Sequence, residues 1–232
     1  MFGNIALASA CLAAVVAGLP ATKRGIQDTY TYHQGDGSVG AGWPSMDSWG
    51  SWDDLWKANS ALMDKTCSWN GWGNDDSSDE IAAVGSAIQD VAQQTGVDDR
   101  FILAVLMQES KGCVRAPTTN NGVVNPGLMQ SHNGAGSCAG VDPCPSSQIT
   151  QMVHDGVAGT DSGDGLQQLL EKARGAVSGG SDSQVYYAAA RLYNSGSANY
   201  ANLDLGMGST ACYASDIANR LTGWTLATTG CH

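Results

Sequence analysis

The chain is short of phenylalanine, of basic residues and of long apolar runs, and each shortage excludes something. Two Phe stand against seven Trp, so aromatic burial falls largely to indoles. Lys and Arg number 11 against 22 Asp and Glu, a net charge of −11. That balance argues against nucleic acid as a partner, because binding a phosphate backbone takes a basic surface. It also sets an unfavourable long-range field against any anionic polymer, a field that acid or salt would relieve. Beyond the N-terminal segment no apolar run is long enough to span a bilayer, and no membrane partner is expected. There is no N-x-Ser/Thr sequon, so N-glycosylation is not expected. Strand-like alternation is nearly missing and no internal repeat is visible, which predicts a mainly α fold.

The opening stretch, "MFGNIALASACLAAVVAGLPATKRG", is small and apolar over residues 5–17 and too short for a stable membrane anchor. Val16 and Gly18 fit a signal-peptidase site, which predicts a signal peptide over 1–18 and a secreted, extracellular protein. Lys23-Arg24 reads as the end of a propeptide over 19–24, leaving a mature chain that starts near Gly25. Residues 25–50 are rich in Gly, Ser, Tyr and Asp with no period. They are expected to form an extended arm, either draped on the domain or mobile. The main domain is expected over 51–232.

Cysteine usage agrees with secretion. Cys11 falls in the signal segment, and Cys67, Cys113, Cys138, Cys144, Cys212 and Cys231 remain. An even count in a secreted chain predicts three disulfides, and six cysteines allow fifteen pairings. Cys138 and Cys144 flank five residues containing Gly and Pro, which makes them the best candidates for a local bridge. A zinc site would want CxxC or HxxxH spacing, and the four histidines (33, 132, 154 and 232) are scattered. No metal and no cofactor are expected, and the protein is expected to be a monomer.

Helical periodicity starts at Ser51, a candidate N-cap followed by acids, with Trp52, Leu55, Trp56, Leu62 and Met63 near one face. Six of the seven Trp lie between residues 43 and 72. Their helical spacing favours burial of the arm and first helix over a carbohydrate-stacking platform. A second helix is expected from Asp79 to Thr95, stopped by Gly96, and a third follows Asp98. Lys111 to Ser146 reads as one long loop, and long ordered loops are usually functional. Helices resume near 147–158, 164–177, 182–194 and 213–223.

Three short elements carry candidate chemistry. Glu109-Ser110 ends the apolar run "ILAVLMQES", where a carboxylate is costly unless paired or used. Gly127, Leu128, Met129 and Gln130 form a turn, and "AAARLYNSG" ends a helix at Tyr193-Asn194 before Gly196. Singly each has an ordinary reading as a helix-end acid, a turn or a cap. Together, "QES", "GLMQ" and "YNSG", in that order across residues 79–200, resemble the soluble lytic transglycosylase and goose-type lysozyme superfamily. With its cysteines and "SWNGWG", the chain is also similar to secreted fungal muramidases with a lysozyme-like domain.

The resemblance implies a lysozyme-like helical domain over 51–232, with long loops and a sugar cleft. It implies that Glu109 is the catalytic acid for the β-1,4 bond between N-acetylmuramic acid and N-acetylglucosamine in bacterial peptidoglycan. Burial at an apolar helix end is what such an acid needs, since desolvation keeps it protonated near neutral pH. Tyr193 would orient Glu109 through its hydroxyl. Met129 and Gln130 would line the cleft floor, and Ser110 and Asn194 would hydrogen-bond saccharide or cleft backbone. His132 reads as a loop histidine bonded to backbone rather than a cleft residue.

An inverting hydrolase needs a base about 6.5–9.5 Å from the acid. The loop over 111–141 holds no Asp or Glu, unlike the goose-type pattern, which leaves Asp142, Asp155, Asp161 and Asp164 as candidates, with Asp75 and Asp76. A lytic transglycosylase needs no such base. Secretion favours hydrolysis. The alternatives are transglycosylation, chitin cleavage, and a non-catalytic carbohydrate-binding or effector role.

Overall fold

The computed structural model describes residues 25–231, so the expected signal peptide and propeptide (1–18 and 19–24) and Cys11 lie outside the described residues. Within them the chain is mainly helical. Seven α-helices run in order: α1 (Trp52–Trp69), α2 (Ser78–Thr95), α3 (Asp99–Ser110), α4 (Ser146–Ala158), α5 (Leu166–Ala176), α6 (Asp182–Ser195) and α7 (Tyr213–Thr222). The long loop before α4 contains one two-stranded antiparallel hairpin, β1 (Thr119–Asn120) with β2 (Val124–Asn125). No helix among the described residues is long and apolar enough to cross a membrane.

Local chemistry sets the helix ends. Ser51 accepts from the Asp54 N–H and opens α1. Ser77 and Glu80 form a reciprocal capping box on α2, and Gly96 closes that helix in the left-handed region. Asp98 accepts from the Arg100 N–H at the start of α3. Helix α3 is buried on every face from Phe101 to Met107. A helix apolar all round belongs at the centre, and α1, α2 and α7 pack around it.

The N-terminal arm is draped on the domain. Two indoles anchor it: Trp43 and Trp49 are each 2% exposed. Trp43 Nε1 donates to the Gln34 carbonyl at 2.8 Å, and Trp49 Nε1 to the Tyr187 hydroxyl at 3.0 Å. The arm then runs along α7, where Asn219 exchanges two hydrogen bonds with the backbone of Thr31 and Ser215 accepts from the His33 N–H. Trp52 and Trp56 stack on each other, half-buried against the core, while Trp69 is exposed. Most of the tryptophan cluster therefore serves packing.

The acid-free loop is held by acids from elsewhere. Arg115 is 4% exposed and pairs with Asp76 at 3.2 Å, Glu80 at 2.6 Å and Asp142 at 2.7 Å. Asp76 also accepts from the Val114 N–H, and Glu80 from the Cys144 N–H. Asp155 of α4 accepts from the N–H groups of Ala135 and Gly136. A loop on the interior side needs partners for its backbone donors, and these carboxylates supply them.

Three disulfides close the fold: Cys67–Cys113, Cys138–Cys144 and Cys212–Cys231. The local Cys138–Cys144 bridge is the one the spacing favoured. Such bonds form and persist in oxidising compartments. The chain-entropy gain grows with loop length, and the separations are 46, 6 and 19 residues. Replacing Cys67 and Cys113 together by Ala is expected to cost about 3–4 kcal/mol in denaturant unfolding. The Cys138/Cys144 double variant should lose less, and the reverse ranking would contradict the loop-length account.

Candidate active site

Glu109 sits where the buried stretch of α3 gives out, and the chain turns away immediately after it. Lys111 (φ 58°) and Gly112 (φ 83°) are both left-handed. A side chain on residue 112 would strike Met63 at 2.7 Å, so only glycine lets this turn lie against α1. The turn leaves Glu109 lining a cleft of about 920 Å³. One wall is the β1–β2 hairpin with Gln130. The other is the end of α6, with Tyr193 and Asn194, and residues 208–210. Carboxamides, hydroxyls and backbone dominate the lining, and Tyr193 and His132 are its aromatic rings among the described residues.

Glu109 is partly open to the cleft, yet protein crowds it on its other sides. Loss of solvent raises its pKa from the usual 4.5 to about 7, against the pull of the Tyr213 hydroxyl, Lys111 and Arg220. The same burial pushes Lys111 down to about 8 and Arg220 down to about 10. The carboxyl is therefore half-protonated near neutral pH, with its hydrogen-bond donor and two cations beside it. No carboxylate is among the groups that shift it.

Tyr213 holds the acid. Its hydroxyl donates a hydrogen bond to Glu109 Oε1. It is the first residue of α7, and its neighbour Cys212 is tied to Cys231. Arg191, fully buried on α6, reaches under this corner. Its guanidinium donates to the carbonyls of Thr210 and Ala211 and to Asn194 Oδ1, and lies 6.0 Å from the Tyr213 ring. One buried cation thus sets the Asn194 amide, the cleft-wall loop and the tyrosine that meets Glu109.

Of the residues expected at the site, Glu109, Gln130, Tyr193 and Asn194 line the cleft together. Others do not. Ser110 is fully buried, and its hydroxyl donates to the Leu106 carbonyl and accepts from the Gly112 N–H, so it finishes α3 and reaches no cleft. Met129 is fully buried and lies against Gly156 of α4, where a Cβ would meet its sulfur at 2.6 Å. Its contribution is a carbonyl, which accepts from the Tyr193 hydroxyl at 2.7 Å. Tyr193 therefore braces the "GLMQ" turn, and Tyr213 has the orienting contact expected of Tyr193. His132, expected away from the cleft, lines it, with its ring over Gly163.

The candidate bases are largely committed elsewhere. Asp142 is on the far loop with Asn74 and Arg115. Asp155 and Asp76 anchor loop backbone, and Asp75 accepts from the Ser68 N–H at the end of α1. Asp161 lines a smaller adjoining pocket that shares Ser162, Gly163 and Asp164 with the cleft. Asp164 alone of the six reaches the cleft, and it is paired with Lys172. The sequence reading missed Tyr213, Lys111 and Arg220. A tyrosine beside a cysteine at the start of the last helix was the available signal for the first.

No protein-family model matches the chain, and no curated protein matches it significantly.

Because the Tyr213 hydroxyl favours the ionised acid, Tyr213→Phe is expected to raise the pH at which Glu109 ionises above about 7. The chain has only three glutamates (80, 109 and 171), so carboxyl-¹³C NMR titration of glutamate-labelled protein resolves the shift. A midpoint that stays or falls would remove Tyr213 from this role.

Proposed function

We propose that the protein is a secreted muramidase with a lysozyme-like domain, cleaving the β-1,4 bond between N-acetylmuramic acid and N-acetylglucosamine with Glu109 as general acid. One observation carries this reading: a carboxyl at the end of a buried helix, its pKa raised by desolvation to about 7, at the wall of a polar cleft. Breaking a glycosidic bond requires a proton on the departing oxygen at the moment the bond lengthens. An acid with a pKa near the working pH is the best donor. The polar lining suits a substrate rich in hydroxyl and N-acetyl groups.

The fate of the sugar cation divides two readings. Hydrolysis needs a water held on the far side of the ring. Asn194 Oδ1 is taken by Arg191, but its NH₂ has no hydrogen-bond partner among the described residues and can orient such a water. Gln130 is less suited, since its amide is tied to Thr119, Pro117 and Gly127. The second reading is transglycosylation, in which the muramic C6 hydroxyl attacks and leaves a 1,6-anhydro end. It is favoured by the cleft lining, where Asp164 is the other carboxylate among the described residues and is paired with Lys172. Chitin shares the N-acetylhexosamine spacing but lacks the lactyl group. A pure binder would have no use for a desolvated acid.

Digestion of purified peptidoglycan and of chitin, with mass spectrometry of borohydride-treated fragments, tests this directly. Fragments from peptidoglycan are expected, and reducible or 1,6-anhydro ends identify the second half of the reaction. Glu109→Gln is expected to lower turnover by at least about 10²-fold while substrate binding persists. A variant that keeps most of its rate would end the assignment.

The same substitution has a stability signature. The folded acid keeps its proton up to about pH 7 while the unfolded one loses it near 4.5. Its contribution to stability is complete below that lower value and is lost as pH rises through the upper one. The melting temperature of Glu109→Gln relative to wild type is expected to climb from pH 4.5 to 8. A flat difference would mean that Glu109 is not desolvated.

A further inference from the structure

Beside Glu109 a closed ring of five side chains joins four parts of the chain. Tyr30 of the arm donates to Asp216 Oδ1 at 2.7 Å. Gln108 of α3 donates through Nε2 to Asp216 Oδ2 at 3.0 Å, and its Oε1 accepts from Arg220 Nε at 2.7 Å. The Arg220 guanidinium lies 4.5 Å from the ring centre of Trp224 in the C-terminal tail, and Trp224 meets Tyr30 edge-on at 4.9 Å. Asp216 and Arg220 are 6% and 4% exposed. They form no direct ion pair; the Gln108 amide stands between them, its oxygen toward the cation and its N–H toward the anion.

Gln108 is the residue before Glu109, and the Lys111 ammonium donates to the Gln108 carbonyl at 3.1 Å. Two cations, Lys111 and Arg220, therefore act on Glu109, and one buried anion, Asp216, answers them. Tyr213 of α7 and Tyr193 of α6 complete the titratable groups around the acid. Asp216 itself faces Tyr30 from the arm, Lys111 from the end of α3 and Arg220 from its own helix. Buried charges persist only where they are compensated and hydrogen-bonded. Without the anion, the surplus positive charge would favour ionised Glu109, the form with no proton to give.

We propose that Asp216, gripped by Tyr30 of the N-terminal arm, is a positioning residue for Glu109: its carboxylate balances the two cations beside the acid, and the arm is thereby part of the working site. This rests on the reading of Glu109 as a general acid, but its test does not. Burial already raises the Asp216 pKa, and the Tyr30 hydroxyl opposes that rise. Removing the hydroxyl makes Asp216 easier to protonate and weakens the balance.

The test is the ¹³C titration of Glu109 in Asp216→Asn and Tyr30→Phe, with thermal melting as a fold control. Asp216→Asn is expected to lower the Glu109 midpoint by about half a pH unit, because Asp216 faces Lys111 and Arg220 rather than the acid itself. Tyr30→Phe is expected to lower it in the same direction by a few tenths. If the protein cleaves peptidoglycan, the alkaline limb of the kcat profile should move down with the midpoint while KM changes little. A folded Asp216→Asn with an unmoved midpoint overturns the proposal. If that variant does not fold, Tyr30→Phe decides: a fall supports the balance and no movement overturns it. A shift in Asp216→Asn without one in Tyr30→Phe overturns the role of the arm. Movement of the Glu109 midpoint in a protein that cleaves no glycan would sink the glycosidase reading and leave the charge balance standing.

Discussion

The desolvation of one carboxyl at the end of a wholly buried helix is the constraint around which this molecule is arranged. A helix apolar from Phe101 to Met107 has to lie at the centre, and its last turn brings Glu109 to the edge of that centre. Keeping the acid there takes a left-handed turn at Lys111 and Gly112, a tyrosine from α7 on its oxygen, and cations whose charge is answered nearby. Each of these comes from a different stretch of chain. The disulfide at Cys212 and the guanidinium of Arg191 then fix the corner from which Tyr213 reaches in.

A second centre, around Arg115, solves a different problem. The loop between α3 and α4 is long and carries one acid, Asp142 near its end, so its backbone donors and its buried Arg115 are satisfied by that residue together with Asp76, Glu80 and Asp155 from outside the loop. Those carboxylates hold the loop at Val114, Arg115, Ala135, Gly136 and Cys144. Because they are spent there, they are not free to activate water. The architecture that makes the cleft also leaves Glu109 as its one carboxyl without an ion-pair partner.

The arm completes the domain rather than decorating it. Trp43 and Trp49 bury it, and Tyr30, Thr31 and His33 stitch it to α7. Since α7 also carries Tyr213, Asp216 and Arg220, what holds the arm down bears on the environment of the acid. A segment with no period and many glycines can still be ordered when its indoles and backbone amides have somewhere to go.

Local patterns were enough to place the helices, the caps at Ser51 and Asp98, the stop at Gly96 and the short bridge from Cys138 to Cys144, because each depends on residues near one another in the chain. The apolar run before Glu109 was equally legible, as was the oddity of an acid at its end. Which tyrosine meets that acid was not legible: Tyr193 and Tyr213 are both helix residues, and only the crossing of α3 with α7 brings the second onto Oε1. The fate of Ser110 and Met129 was decided the same way, by which side of a turn faces inward. So was the use of the aspartates, since an Asp becomes a loop anchor or a cleft residue according to what lies across from it. Sequence alone determined the periodicity, the caps and the chemistry on offer, which are short-range. Tertiary structure decided pairing, burial and charge balance, because these depend on groups up to 199 residues apart being brought within hydrogen-bond reach.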